Sequence, residues 1–163
     1  MKFGIYTFAL QNPNFKLDLP DSILDLVTSN RFLERGWGNG YVLLPPTHPF
    51  HGADYYDLHI SIHGGLTFGS IFESEGFLKW CEGKEFAGDV NLENFEKFEG
   101  YYMIGFDTGH LVDDMITCPK EYVLTEVDSL LEQCLSCNIE GIKKYKSIYS
   151  RKKKLKEINK KSK

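Results

Sequence analysis

Hydrophobic and polar positions alternate most cleanly over Leu58–His63, where Leu58, Ile60 and Ile62 interleave with His59, Ser61 and His63. A period of two predicts a strand with three apolar side chains on one face and three polar ones on the other. Gly64-Gly65 breaks that segment, and Leu66 to Phe72 resumes an apolar run, as in a hairpin or a bulged strand. Phe3 to Ala9, Tyr41 to Leu44 and Tyr101 to Phe106 are further runs of strand length. Pro45-Pro46 ends the second of them, because proline cannot donate to a ladder. Helical spacing occurs twice. Ile23, Leu24, Leu26, Val27, Phe32 and Leu33 follow Asp21, a residue suited to an N-cap, and stop at Gly36. Pro119 opens the second helix, in which Tyr122, Val123, Val127, Leu130, Leu131, Cys134 and Leu135 form one stripe while Glu121, Glu126, Asp128 and Glu132 lie off it. Residues 82–100 are acidic and turn-rich and read as a covering loop with one helical turn, anchored by Phe86, Phe95 and Phe98. The order β-α-β-β-β-β-α predicts an α+β fold, a mainly antiparallel sheet covered by an N-terminal and a C-terminal helix.

Composition narrows the picture. With 163 residues, 42% hydrophobic and 26% charged, the chain fits a single domain and excludes collagen-like, coiled-coil and disordered classes, as well as a multi-domain enzyme. The net charge of -4 conceals a split: residues 1–140 carry 8 Lys/Arg against 22 Asp/Glu, whereas residues 141–163 carry 11 Lys/Arg and a single acid, Glu157. The expected organisation is therefore a globular acidic body over 1–140 and a basic tail or helix over 141–163. The body opposes binding to duplex DNA. The tail reads as a solvated terminus, with contact to an acidic partner as the alternative. No segment approaches the roughly 18 apolar residues of a membrane span. The stretch Phe3 to Leu10 after Lys2 is short, and no small-residue cleavage site follows it. Four cysteines are too few for a secreted disulfide scaffold, so reduced thiols in a cytoplasm are expected. Cys134 and Cys137 have the C-x-x-C spacing but sit at a helix end, where they read as buried thiols. Whether the chain forms a homo-oligomer stays open.

All five histidines (His48, His51, His59, His63 and His110) fall within residues 48–110, beside Asp54, Asp57 and Asp107, with Asp113 and Asp114 just beyond. Imidazole titrates near neutrality and can bind metal, relay protons or hold a phosphate. His63, at the end of its run and followed by Gly64 and Gly65, is placed to face a ligand, with Thr67 near it; a plain turn needing positive φ is the competing reading. Asp107-Thr108-Gly109-His110 follows an apolar run, so Asp107 and His110 can project from one sheet end. Asp107, His110 and Asp113 are candidate ligands for a divalent metal, and the alternative is that Asp107 caps a turn while Asp113-Asp114 is solvated. His48 and His51 lie in a loop stiffened by prolines. There is no G-x-S-x-G, P-loop or H-E-x-x-H motif.

Taken together, Gly40-Tyr41-Val42, His48-Pro49, His51-Gly52, His63-Gly64-Gly65-Leu66-Thr67-Phe68 and Gly105-Phe106-Asp107 with His110 and Asp113 resemble an uncharacterised family of small phage, prophage and bacterial proteins. The resemblance spans roughly residues 37–135, implies a phage or prophage origin and carries over no catalytic role. The leading expectation is a small protein of the host cytoplasm that binds a polar, nucleotide-derived ligand, with sequestration of a host immune signal as its use. His63, Asp107 and His110 form the polar centre in this reading, Gly64, Gly65 and Thr67 line it, and His48 and His51 stand on its rim. The alternatives are a metal-dependent hydrolase or phosphodiesterase acting on a nucleotide, using a divalent metal, and a protein-interaction module.

Overall fold

The computed structural model describes residues 4–12, 35–90, 92–110 and 112–136. The helix expected from Asp21 to Gly36, Cys137 and the basic tail lie largely or wholly outside these residues. Among the described residues there are five strands: β1 (Tyr6–Gln11), β2 (Gly38–Leu44), β3 (Phe68–Ile71), β4 (Phe86–Gly88) and β5 (Tyr102–Phe106). They form one sheet in the order β3-β5-β2-β1-β4, with every neighbouring pair antiparallel. Two α-helices, α1 (Ser74–Cys81) and α2 (Lys120–Leu135), and 3-10 turns over Tyr55–Asp57 and Leu92–Phe98 complete an α+β architecture. No helix among the described residues is long and apolar enough to cross a membrane.

The sheet has a core on each face, which explains why β2 reads as a continuous apolar run rather than an alternation. Val42 and Leu44 join Ala9, Ile104 and Phe106 against Val123, Val127, Leu130, Leu131 and Cys134 of α2. Tyr41 and Leu43 turn the other way and join Phe8, Leu10, Phe72, Phe77, Phe95, Phe98 and Met103. The stripe predicted after Pro119 is thus the buried face of α2, and Pro119 is its N-cap residue. Gly40 makes the helix–sheet approach possible. A Cβ there would lie 2.4 Å from both Phe106 Cε1 and Val127 Cγ2, so any larger residue would push α2 off the sheet.

The opposite core is built from aromatic rings: Phe8 stacks on Tyr41 at 5.0 Å, and Phe77 meets Phe95 at 4.8 Å. Phe95 and Phe98, two of the expected anchors of the acidic stretch, are each 1% exposed, and Phe86 is half-buried. That stretch also supplies β4, a three-residue edge strand on β1. The helix α1 has no counterpart in the periodicity reading. It buries only Phe77 and Cys81, one turn apart, and the Glu99 carboxylate accepts a bond from its Ser74 N–H at 3.0 Å, satisfying one of the open donors of a helix start.

Leu58 to His63 is not a strand. The backbone from Leu58 to Ile62 pairs with no strand, although Leu58 is buried, Ile60 and Ile62 pack on the α2 core, and His59 and Ser61 face solvent. The alternation correctly reports side-chain direction. What replaces the ladder is α2: Ser61 N donates to Gln133 Oε1 at 2.9 Å and Gln133 Nε2 donates to Ser61 O at 2.8 Å, while His63 N donates to Glu126 Oε2 at 2.8 Å. Side-chain amides and carboxylates mimic a neighbouring strand. Gln133→Ala is expected to cost about 1 kcal/mol, because both bonds are partly solvated, and to speed hydrogen exchange at the Ser61 amide without affecting the β2 amides.

Candidate functional site

Two loops and one helix meet at a corner beside the N-terminal half of α2. Gly64 and Gly65 both have positive φ, +62° and +84°, and Gly65 N donates to Ile62 O at 2.9 Å, so the turn expected after His63 is present. Beyond β5, Asp107 Oδ1 accepts from Gly109 N at 2.9 Å, closing an Asx turn that redirects the chain into His110. Asp113 N donates back to His110 O at 3.0 Å. Asp114 then caps the next turn, accepting from Ile116 N and Thr117 N at 2.8 and 2.6 Å.

This path drives the Asp113 side chain inward, to 3% exposure, between two imidazoles. His63 Nε2 lies 3.0 Å and His110 Nδ1 2.9 Å from the same oxygen, Asp113 Oδ2, which also accepts from His110 N at 2.9 Å. Tyr122 of α2 reaches the other side of His63, with its hydroxyl 3.0 Å from Nδ1. A carboxylate only accepts, so both imidazoles present N–H to Asp113. With neutral rings, His63 Nδ1 then accepts from the Tyr122 hydroxyl, and both ring nitrogens of His63 are used. His110 differs: among the described residues its Nε2 has no hydrogen-bond partner, and its side chain is 38% exposed. Burial works to raise the Asp113 carboxyl, but the bonds from His63 and His110 outweigh it and hold the group below its ordinary value. Burial, reinforced by the negative charge of Glu126, pushes the Tyr122 phenol up. Burial also raises the Cys118 thiol, with Thr117 opposing and Asp113 adding to the shift.

Gly64 holds the two loops together. The His110 ring lies over it so closely that a Cβ would stand 2.1 Å from Cε1 and 2.4 Å from Nε2. The close approach anticipated at this glycine is thus made by the protein's own imidazole. Gly65 has open space where its Cβ would be, and Thr67, exposed, ties its N–H to Gly105 O at 3.0 Å.

The structure therefore brings together His63, His110 and Asp113. It does not bring in Asp107, whose Oδ1 accepts from its own turn; the carboxylate meeting His63 comes from six residues further on. His48 and His51 are fasteners elsewhere. His48 Nδ1 accepts from Phe50 N and its Nε2 bonds Cys134 O at 3.1 Å. Tyr122 and Cys134 are 12 residues apart on α2, about 18 Å at the helical rise, so His48 stands at the far end of the helix from the corner. Burial lowers its pKa, against the opposing effect of the Cys134 carbonyl. His51 Nε2 bonds Gly100 O at 2.8 Å. Sequence reasoning does not reach Tyr122 and Glu126 as site residues. Their signal is a polar pair one turn apart on a helix that follows the Asp113 loop directly.

An apolar groove of about 380 Å³ also exists, between β3 and α1, lined by Phe68, Ile71, Phe72, Phe77, Trp80 and Met103. It belongs to the aromatic face of the sheet, opposite α2 and the imidazoles. No family model, curated protein or solved structure matches the chain.

Proposed function

We propose that the chain binds a small, phosphate-bearing ligand of nucleotide type at the corner formed by His63, Gly64, His110 and Asp113. The observation that carries this reading is the His110 ring. Asp113 fixes it through Nδ1, while among the described residues Nε2 has no hydrogen-bond partner and the side chain is 38% exposed. In its imidazolium form a ring held in one orientation donates Nε2–H to a phosphate oxygen at low entropic cost. The open Gly65 and exposed Thr67 extend the same rim. The resemblance to phage proteins supplies a setting, the cytoplasm of an infected host, in which sequestering an immune nucleotide would be the use of such a site. We take the two cores to belong to one domain.

A second reading, hydrolysis of that ligand, is favoured by the same pair. A carboxylate orienting one imidazole nitrogen and leaving the other to take a proton is the geometry of general acid–base chemistry. One experiment addresses both readings. The full-length protein is incubated with a nucleotide mixture, re-isolated and heated, and the released small molecules are identified by mass spectrometry. A nucleotide released unchanged supports binding, and a cleaved one supports hydrolysis. His110→Ala is expected to reduce retention about tenfold, the worth of one charge-assisted hydrogen bond, and the exposed His59→Ala not at all. Retention of no nucleotide by the unmodified protein, or equal retention by His110→Ala, refutes the reading.

A further inference from the structure

The composition of the corner suits something smaller than a nucleotide. His63, His110 and Asp113 each offer one ligand atom, and these atoms all lie within 4.8 Å of one another. Zinc-class ions hold nitrogen and oxygen ligands at about 2.0–2.1 Å, which puts neighbouring ligand atoms of a tetrahedron about 3.3 Å apart. The two nitrogen-to-oxygen separations, 3.0 and 2.9 Å, fall only slightly short of that edge. The His110 ring is half-exposed, so a small rotation on that side can open the gap.

We propose that His63, His110 and Asp113 bind one divalent transition-metal ion of the zinc, cobalt or iron(II) class, leaving a coordination position open. The ligand set selects the class. Two imidazoles with one carboxylate suit these borderline ions, whereas calcium and magnesium take oxygen ligands. Three protein ligands characterise sites that keep a place for water or substrate, while structural sites close with four. The surroundings fit as well. A metal-bound imidazole directs its other nitrogen to an oxygen, and the Tyr122 hydroxyl stands 3.0 Å from His63 Nδ1. Glu126 anchors the His63 backbone N–H at 2.8 Å, so α2 fixes both the ring and the chain of that ligand. The inference rests on the functional reading only in naming a phosphate oxygen as the occupant of the open position.

The test uses the full-length protein, stripped with chelator and titrated with Co²⁺ and then Zn²⁺, with no nucleotide present. One equivalent of Co²⁺ is expected to give visible bands of low-coordinate nitrogen–oxygen ligation, lost on adding Zn²⁺. His63→Ala, His110→Ala and Asp113→Ala should each weaken binding by on the order of 100-fold, and Tyr122→Phe by about tenfold with the stoichiometry kept, as expected for loss of a supporting bond. His59→Ala should change nothing. Circular dichroism checks folding, and if an alanine variant unfolds, His110→Gln and Tyr122→Phe decide the matter. Binding of no equivalent, or affinity unchanged in His110→Gln and Tyr122→Phe, marks the trio as a hydrogen-bonded cluster and overturns the proposal. Nucleotide added afterwards separates the two readings. Metal bound without nucleotide retention leaves this inference standing and removes the function above, whereas no metal binding with nucleotide retained in chelator does the reverse.

Discussion

Gly64→Ala is expected to destabilise the protein by about 3 kcal/mol, against about 1 kcal/mol for Gly65→Ala next to it. Both glycines sit in the left-handed region, at φ +62° and +84°, where an alanine costs roughly 1–2 kcal/mol in backbone strain. Strain alone therefore makes the two variants alike. The difference comes from His110, whose Cε1 would lie 2.1 Å from the new Cβ at position 64, while nothing lies within 4 Å of one at 65. The ring must swing away and give up its bond to Asp113, adding about 1–2 kcal/mol. Urea unfolding of both variants measures the gap. The His110 imidazole resonances should shift in Gly64→Ala and stay in place in Gly65→Ala. Equal losses in the two variants would show that the ring–glycine contact is not what holds the loops together.

Asp113→Ala, measured in chelator, is expected to cost about 3 kcal/mol. Its Oδ2 serves three donors, His63 Nε2, His110 Nδ1 and His110 N, and bonds to a charged acceptor each contribute roughly 1.5–3 kcal/mol. Water can reach the half-exposed His110 ring, which keeps the loss well below the sum. The same group predicts a pH signature. Because the folded carboxyl titrates below its unfolded value, its contribution is complete above the unfolded pKa of about 3.9 and is lost as pH falls through the folded value. Asp113→Asn should flatten that acid limb of the stability profile. Chemical unfolding at a series of pH values tests this, and an acid limb equally steep in both proteins would assign the loss to other carboxylates.

Much of the framework was legible because each element has a face to bury. The α2 stripe from Val123 to Cys134 announces itself because five core residues recur over about three turns. β2 and β5 do so because both of their faces are covered. Elements that bury little leave little trace: α1 shows two core positions and β4 spans three residues. Leu58 to His63 was readable in direction but not in partner, since alternation records which way side chains point and is silent on whether a strand or a glutamine answers the backbone. The site divides the same way. His63, Gly64 and His110 stand out by residue type. The choice between Asp107 and Asp113 depends on a turn: Asp107 Oδ1 accepts from Gly109 N, and the chain then carries Asp113 inward. Two aspartates six residues apart look equivalent until that local competition is resolved.

The strand order has a consequence for how the molecule is made. Among the described residues only β1 and β2 are neighbours both along the chain and in the sheet; Leu44 pairs with Tyr102 and Phe8 with Gly88. Closing such long loops before any reward arrives is slow. A two-stranded ribbon is marginal in water by itself. At roughly 5–20 residues per second, translation separates the emergence of β2 from that of β5 by several seconds. The apolar run at the centre of the finished sheet therefore spends that interval at the ribosome without β5 on its edge and without α2 and the aromatic cluster of Phe72, Phe77, Phe95 and Phe98 on its faces.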